Sequence, residues 1–172
     1  QYFIDMSTVD VPLHAGQEHT LTIEKLTHGG AGLATIGGIP VFVPGAVPGQ
    51  QLSVILTKVK DRYAEARIEK VIRKSKDEIP ARCPHFGVCG GCQWQQLPYD
   101  KQLSYKEDIV RETLEHLTPV DEAARKQLPG RVLKIIPSPQ VFNYRDKSEM
   151  SSGYTSMRVA DVPGTRKSIA EG

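Results

Sequence analysis

The amino-acid sequence lacks long hydrophobic runs, a secretory signal and any marked excess of one charge. None of its apolar stretches approaches the roughly 18 residues of a membrane-spanning helix. The first residues show neither the basic start nor the apolar stretch of a signal peptide, so we expect a cytoplasmic protein without a membrane partner. Of its 172 residues, 39% are apolar and 24% are charged. This composition excludes a coiled coil, a collagen and a wholly disordered chain, and predicts one globular domain or two small ones.

The net charge is only +2, but basic residues are concentrated in one stretch. Between Lys58 and Lys76 there are eight Lys or Arg residues and three acidic ones, an excess of five positive charges. Such a stretch can attract the phosphates of a nucleic acid. Charge alone favours the simpler interpretation of a solvated surface, and phosphate binding is the alternative.

Cysteine is scarce, and its distribution is uneven. The sequence has three cysteines, all within ten residues, at Cys83, Cys89 and Cys92. An odd number of cysteines without a secretory signal argues against a disulfide framework. Their spacing alone favours a four-iron four-sulfur cluster with a distant fourth ligand. A zinc site completed by His85 and a redox pair are the alternatives, and the redox pair gives Cys83 no role.

The N-terminal part of the chain reads as five short β-strands joined by Gly and Pro turns. Apolar residues alternate with polar ones within these stretches, and a Gly37-Gly38 pair is typical of a hairpin. Five strands in about fifty-five residues suit a small barrel of the OB type, with an SH3-like barrel as the alternative. The predicted strands are Leu21–Leu26, Leu33–Ile36, Ile39–Val43, Leu52–Leu56 and Tyr63–Ile72.

The C-terminal part of the chain is predicted to be mixed. Residues 73–82 read as a linker. A helix begins near Pro98 and ends at Thr118, with an apolar face. Residues 119–130 read as a polar loop, and strands are expected at Arg131–Ile136 and Tyr144–Ser152. The residues of the predicted helix face are Leu103, Val110, Leu114 and Leu117.

Three segments of the sequence resemble, in the same order, the RNA uracil-5 methyltransferase family, whose members use S-adenosylmethionine. Cys83–Leu97 is similar to the family's iron–sulfur segment. His28–Ala34 and Val41–Ala46 are similar to its TRAM domain, an OB-type RNA-binding barrel. Asn143–Ser151 is similar to the Tyr-Arg-x-Lys strand of its central domain.

The resemblance implies a division of the chain and a set of metal ligands. Residues 1–16 are an N-terminal extension, 17–72 the TRAM barrel, and 73–172 the iron–sulfur segment with part of an α+β central domain. Cys83, Cys89 and Cys92 are implied as ligands of a four-iron four-sulfur cluster. The family's fourth ligand follows the Tyr-Arg-x-Lys strand, and this chain has no cysteine after Cys92, so we expect either a ligand beyond Gly172 or an incomplete cluster.

The chemistry of uracil methylation is expected outside this chain. It needs a nucleophile, a general base and a site for the methyl donor, and no residue here is assigned to these roles. By the resemblance, S-adenosylmethionine binds only to the full-length parent enzyme, and the chain itself is expected to be inactive. A stand-alone RNA-binding module with a Cys3His zinc site is the alternative, and a barrel that docks a protein partner is the third hypothesis.

The expected partner is tRNA or ribosomal RNA, bound by a monomer, with no role for DNA. Arg145 and Lys147 lie two residues apart on a predicted strand, so both can face successive phosphates. Tyr63 either stacks on a base or packs within the barrel. The loop His28–Gly32 is rich in glycine and allows close approach of its backbone to RNA. The predicted RNA-binding residues are Lys58, Lys60, Arg62, Tyr63, Arg67, Tyr144, Arg145 and Lys147.

Overall fold

The computed structural model describes residues 12–88, 91–116 and 121–144. Two compact units are distinguished, residues 1–137 and 138–172, and every described helix and strand lies in the first. None of the described helices has the length and apolar character needed to cross a membrane. The strands are β1 (Glu18–Thr22), β2 (Lys25–Leu26), β3 (Gly32–Ile36), β4 (Ile39–Val43), β5 (Gln51–Lys60) and β6 (Tyr63–Arg73), and the helices are α1 (Tyr99–Glu115), α2 (Glu122–Gln127) and a 3-10 turn at Pro129–Arg131.

The six strands form one sheet in the order β1-β5-β6-β4-β3-β2. Neighbouring strands are antiparallel except β4 and β6, which are parallel. Only Ile23 and Glu24 separate the edge strands β1 and β2, which therefore act as two halves of one bent strand that bonds first to β5 and then to β3. Counted this way, the sheet has five strands in an OB-type arrangement. The predicted mainly β fold is confirmed.

The core of the sheet follows the alternation that the sequence predicts. Val41 and Val43 on β4 and Ala64 and Ala66 on β6 face inward, and each has at most 2% of its surface exposed. Their intervening neighbours are half-buried or exposed, as expected for side chains that point alternately to opposite faces. Full burial of a Val or Leu side chain stabilises the fold by about 1.5–3 kcal/mol.

A second, smaller core joins helix α1 and the segment before it to the barrel. Leu97 is only 1% exposed and packs with Leu26 and Val47 of the barrel, and Tyr105 and Ile109 of α1 cover this cluster. The predicted helix is confirmed over Tyr99–Glu115, and its predicted end at Thr118, with Leu117 of its apolar face, lies outside the described residues. The rest of that predicted face is only partly right. Val110, which the sequence places on that face, is 48% exposed. Helix α1 packs against the barrel with the face that carries Tyr105 and Ile109 instead.

The region after α1 differs from its prediction. The sequence predicts a loop over residues 119–130, yet α2 lies within them. Asp121 accepts a hydrogen bond from the backbone N–H of Ala124 at 2.9 Å, and a Glu122–Lys126 ion pair of 2.8 Å spans one helical turn. An N-terminal cap and an i,i+4 pair both stabilise a short helix, and the sequence contains both signals.

The strand predicted at Arg131–Ile136 is wrong. Arg131 belongs to the 3-10 turn, and no strand is present in the described stretch 132–144. The backbone N–H of Ile135 donates to the Glu107 carboxylate of α1 at 2.7 Å instead of to another strand. Leu133 and Ile136 are 86% and 90% exposed, so the apolar run that suggests a strand has no sheet to join among the described residues. Apart from Tyr144, which is not in a strand, the strand predicted at Tyr144–Ser152 lies outside the described residues.

Candidate functional site

The cysteine segment is organised around the side-chain amide of Gln95. Its Oε1 accepts a hydrogen bond from the backbone N–H of Cys83 at 3.0 Å, and its Nε2 donates to Sγ of Cys92 at 3.1 Å. One amide therefore connects two of the three predicted ligands. Cys83 and Cys92 are both free thiols, the first half-buried and the second exposed.

The third predicted ligand, Cys89, lies outside the described residues, and the described residues contain no group of three His, Cys, Asp or Glu side chains that could hold a metal. The trio of cysteines therefore stays a prediction. The one contact to a cysteine sulfur that bears on such a site is the Gln95 amide, which donates to Sγ of Cys92, and hydrogen bonds of this kind orient metal ligands in other proteins. His85, the alternative zinc ligand, is exposed, and its carbonyl accepts from the N–H of Val88 at 3.1 Å.

The residues that follow Cys92 attach the cysteine segment to the barrel. Gln93 donates from Nε2 to the carbonyl of Gly29 at 2.9 Å, and Trp94 donates from Nε1 to the carbonyl of Gly30 at 3.0 Å. The segment thus holds two consecutive carbonyls of the loop between β2 and β3. We call this loop, residues Thr27–Ala31, the β2–β3 loop.

The β2–β3 loop is also closed by its own backbone. The N–H of Thr27 donates to the carbonyl of Ala31 at 2.9 Å, and the N–H of Gly30 donates to the carbonyl of Thr27 at 2.9 Å. Gly29 and Gly30 have φ angles of 89° and 88°, values that glycine adopts without the steric cost of a Cβ. A Cβ on Gly30 would lie 2.4 Å from Oε1 of Gln93. The glycines of this loop therefore serve both its turn and its close contact with the cysteine segment.

Sequence reasoning assigns no role to the glutamines of this region, although they form most of its side-chain contacts. Gln96 donates to the carbonyl of Gly45 in the barrel at 3.2 Å, and Gln102 donates to the carbonyls of Trp94 and Leu97 at 3.0 and 2.9 Å. Glutamine amides bond readily to backbone groups. The one feature of the sequence that could have indicated these contacts is the high frequency of glutamine after the cysteines, at Gln93, Gln95, Gln96 and Gln102.

The predicted basic residues of the β5–β6 hairpin fall into two groups. Lys58 pairs with Glu65 at 3.2 Å and Arg67 with Glu69 at 2.7 Å. The pairing of Lys58 with Glu65 raises the pKa of Lys58 above its ordinary value, first through the hydrogen bond and then through the opposite charge. Lys60 and Arg62, at the turn of the hairpin, are exposed and form no ion pair with any described residue. Of the four predicted cations of this hairpin, Lys60 and Arg62 are therefore the two without a described carboxylate partner.

An aromatic pair lies on the outer face of the sheet. Tyr63, the first residue of β6, contacts Phe42 of β4 edge-to-face, with ring centroids 5.9 Å apart. Both rings are half-buried, and Phe42 lies opposite Leu33 of β3 in the sheet. Tyr63 therefore packs against a neighbour and also retains an exposed part. Phe42 is not among the predicted site residues.

Most of the predicted site residues near the C-terminus lie outside the described part of the chain. Tyr144 is described and is 70% exposed. Arg145 and Lys147 are not among the described residues. Their contacts with RNA phosphates therefore stay a prediction.

Comparison with known proteins identifies the barrel. The sequence pattern of the TRAM domain family matches residues 12–68. The chain carries a TRAM domain. The match extends from just before β1 to Ile68 in the middle of β6, so it includes the β2–β3 loop, the aromatic pair and the turn of the β5–β6 hairpin.

Relatives of the chain extend beyond the TRAM domain into the cysteine segment and α1. The chain is 40% identical over 136 residues to an uncharacterized RNA methyltransferase of Nitratidesulfovibrio vulgaris, an alignment that covers 79% of this chain and 28% of that protein. It is 34% identical over 145 residues to the 23S rRNA (uracil(1939)-C(5))-methyltransferase RlmD of Methylococcus capsulatus, covering 84% of this chain and 31% of that protein. The predicted relationship to RNA methyltransferases is confirmed.

The chain spans about a third or less of the length of these relatives. Among solved structures, it matches a tRNA (uracil-54, C5)-methyltransferase of Pyrococcus abyssi with a TM-score of 0.36 and 28% identity, over 55% of this chain and 21% of that one.

Proposed function

We propose that the chain is the RNA-binding and metal-binding part of an S-adenosylmethionine-dependent RNA uracil-5 methyltransferase that acts on tRNA or ribosomal RNA. The observation that supports this most directly is a TRAM domain joined, by hydrogen bonds and a shared core, to a cysteine segment. The names of the relatives support the reaction class. Methyl transfer is proposed for the whole protein only.

The RNA surface that we propose runs across the outer face of the barrel. OB-type barrels bind oligonucleotides on the face of their second and third strands and with the loops at its two ends. In this chain those strands are β3 and β4, which carry Leu33 and Phe42, and the loops are the β2–β3 loop and the turn of the β5–β6 hairpin.

Each part of this surface has a distinct contribution. Lys60 and Arg62 supply the phosphate contacts, since neither is neutralised by a described carboxylate. The aromatic pair offers a ring for base stacking. Lys58 and Arg67 are partly neutralised by Glu65 and Glu69 and contribute less than the sequence predicts. Arg145 and Lys147 remain proposed contacts on the central domain.

We further propose that Cys83, Cys89 and Cys92 hold a four-iron four-sulfur cluster in the parent protein, with a fourth ligand outside this chain. Such a cluster would act as a structural cross-link between these cysteines, since uracil methylation requires no electron transfer. Gln95 supports the site through its bonds to Cys83 and Cys92. The domain boundaries at residues 17–72 and 73–172, a monomeric state and the lack of a role for DNA belong to the same proposal.

The RNA claim is tested by fluorescence anisotropy with a labelled single-stranded RNA and with DNA of the same sequence. We expect the chain to bind the RNA and to bind the DNA more weakly. Absence of RNA binding at low salt would contradict the proposal and favour a barrel that docks a protein partner.

The metal claim is tested by anaerobic loading with ferrous iron and sulfide, followed by iron analysis and absorbance near 400 nm. With a small thiol added to take the place of the fourth ligand, we expect iron, sulfide and an absorption band in the wild-type chain, and their loss in Cys92→Ser. Bound zinc without iron uptake would contradict the cluster and support the Cys3His alternative with His85.

A further inference from the structure

The β5–β6 hairpin and the turn that follows it carry two separate groups of exposed cations. Of the eight Lys and Arg residues between positions 58 and 76, Lys58 and Arg67 pair with carboxylates within the hairpin. The other six are exposed and form no ion pair with any described residue. Two of these six, Lys60 and Arg62, belong to the turn of the hairpin. The remaining four, which we call the distal basic cluster, are Lys70, Arg73, Lys74 and Lys76.

We propose that the distal basic cluster is a second phosphate-binding surface, at which the barrel holds a stretch of RNA backbone separate from the stretch at the hairpin turn. This inference rests on the proposed function. It narrows the substrate to an RNA long enough to contact both ends of the hairpin, in contrast to a short strand that occupies only one face of an OB-type barrel.

Two cations of the cluster are positioned by the pairing of β6 with β5. Lys70 lies opposite Ser53 in the register. Arg73 lies opposite Gln51. Leu52, between these two β5 positions, is buried in the core, so the register places both cations on the outer face of the sheet. Two residues along a strand span about 7 Å, so the two cations can contact neighbouring phosphates of one RNA strand.

The other two cations flank an anchored residue. Ser75 is only 6% exposed. Its Oγ accepts a hydrogen bond from the N–H of Asp77 at 3.3 Å, and its carbonyl accepts one from the N–H of Glu78 at 3.2 Å. Lys74 and Lys76 therefore project from a turn whose backbone is already ordered, which lowers the entropic cost of binding a phosphate there.

The carboxylates next to the cluster are engaged by other cations. Glu69 pairs with Arg67 at 2.7 Å. Asp77 pairs with Lys101 of α1 at 3.2 Å. Neither of them therefore neutralises the distal basic cluster, which keeps its positive charge for an external anion.

An RNA held at the hairpin turn is brought close to the distal basic cluster. Strand β6 has 11 residues from Tyr63 to Arg73 and spans about 30 Å. A strand of about six stacked nucleotides spans about 20 Å, which is too short to contact both ends. A longer RNA bound at one end is present at a high effective concentration at the other, so weak contacts there add to its overall affinity.

The test measures the salt dependence of affinity by fluorescence anisotropy, with an RNA of about six nucleotides and with a stem-loop RNA of about thirty. Lys70→Ala/Arg73→Ala removes two cations of the cluster. Lys126→Ala/Lys134→Ala, which removes two exposed lysines from the region after α1, is the matched control. For the stem-loop, the negative slope of log affinity against log salt should become shallower by about 1.4–1.8 in the cluster variant and stay unchanged in the control. For the short RNA it should stay unchanged in both.

A charge-preserving variant separates the loss of cations from a loss of structure. Lys70→Arg/Arg73→Lys keeps both charges, and we expect it to bind the stem-loop with the wild-type slope. A shallower slope in this variant, equal to that of the alanine variant, would contradict a contact made through charge.

The outcomes also separate this inference from the function on which it rests. A wild-type slope for the stem-loop in Lys70→Ala/Arg73→Ala would overturn the second surface and favour docking of an acidic protein at these cations. An equal loss in the matched control would overturn it as well, because net charge alone would then explain the effect. A wild-type chain that binds neither RNA would contradict the proposed function itself.

Discussion

At the scale of single residues, the β2–β3 loop depends on two glycines that look alike in sequence but differ in their surroundings. Gly29 and Gly30 share a φ angle near 90°, yet a Cβ on Gly29 meets nothing within 4 Å, whereas on Gly30 it meets the amide of Gln93. The pair therefore offers a comparison in which backbone strain is constant and the contact with the cysteine segment varies.

We expect Gly29→Ala to lower the free energy of unfolding by about 1–3 kcal/mol through backbone strain alone. Gly30→Ala should cost about 1 kcal/mol more, because Gln93 must move and give up its bond to Gly29. Chemical denaturation measures both values. In a Gln93→Ala background the difference between the two variants should disappear, and a difference that persists would show that Gln93 is not the obstacle.

Charged residues and cysteines of the candidate site can be predicted from the sequence. The glutamines of the site cannot, because an amide side chain carries no such signal. The cysteines and the basic hairpin stand out in the sequence, but pairing of Lys58 and Arg67 with carboxylates depends on side-chain positions across and along the strands. The role of Gln95 depends on folding Cys83 back towards Cys92, which no local pattern encodes. Phe42 is not predicted as a site residue, because the alternation of apolar residues along β4 indicates only that its side chain lies on the outer face of the strand.

At the scale of secondary-structure elements, the segment that carries Leu97 joins helix α1 to the barrel. Leu97→Ala removes a side chain that is 1% exposed and should lower the free energy of unfolding by about 2–5 kcal/mol. Val110→Ala, on α1 and 48% exposed, is the control and should change it far less. Equal effects in the two variants would contradict the packing of this segment against Leu26 and Val47.

The contact between α1 and the stretch after the 3-10 turn is expected to depend on pH. The hydrogen bond from the N–H of Ile135 lowers the pKa of Glu107, and Arg111 adds to the effect, against the opposing influence of burial. A carboxyl group with a lowered pKa stabilises the folded state above its unfolded pKa and loses that contribution as the pH falls through the folded value. This contact should therefore loosen in acid.

NMR measures this directly through the amide shift of Ile135. We expect the shift to titrate with a midpoint below the ordinary Glu value of 4.5, and the transition to vanish in Glu107→Gln. An Ile135 amide that does not titrate, or a midpoint at or above 4.5, would contradict the assigned contact.

The elements themselves are predictable to different degrees. The strands of the barrel follow from alternation, because one face of each strand must be buried. Helix α1 follows from its periodicity, but its buried face does not, because Tyr105 and Ile109 are selected by the position of the barrel. The apolar run near Leu133 predicts a strand that does not form, since a strand needs a partner and local pattern does not report whether one is present.

At the scale of the whole molecule, the TRAM domain is packed against the cysteine segment and helix α1. The second core joins them, together with three hydrogen bonds from glutamine or tryptophan side chains to loop carbonyls. An ion pair between Lys25 of β2 and Glu112 of α1 adds a further contact. The barrel and the segment therefore belong to one structural unit. The alignments with the RNA methyltransferase relatives likewise extend over both parts.

The central claim is that this barrel binds the RNA backbone through the turn of its β5–β6 hairpin, and the salt dependence of RNA affinity tests it most directly. For the wild-type chain, the logarithm of the association constant should fall linearly with the logarithm of salt concentration. In Lys60→Ala/Arg62→Ala this negative slope should become shallower by about 1.4, or about 0.7 for each phosphate of single-stranded RNA that is no longer neutralised. Replacement of Lys126, on exposed α2, should leave the slope unchanged. Equal slopes in the wild type and the hairpin variant would contradict the account.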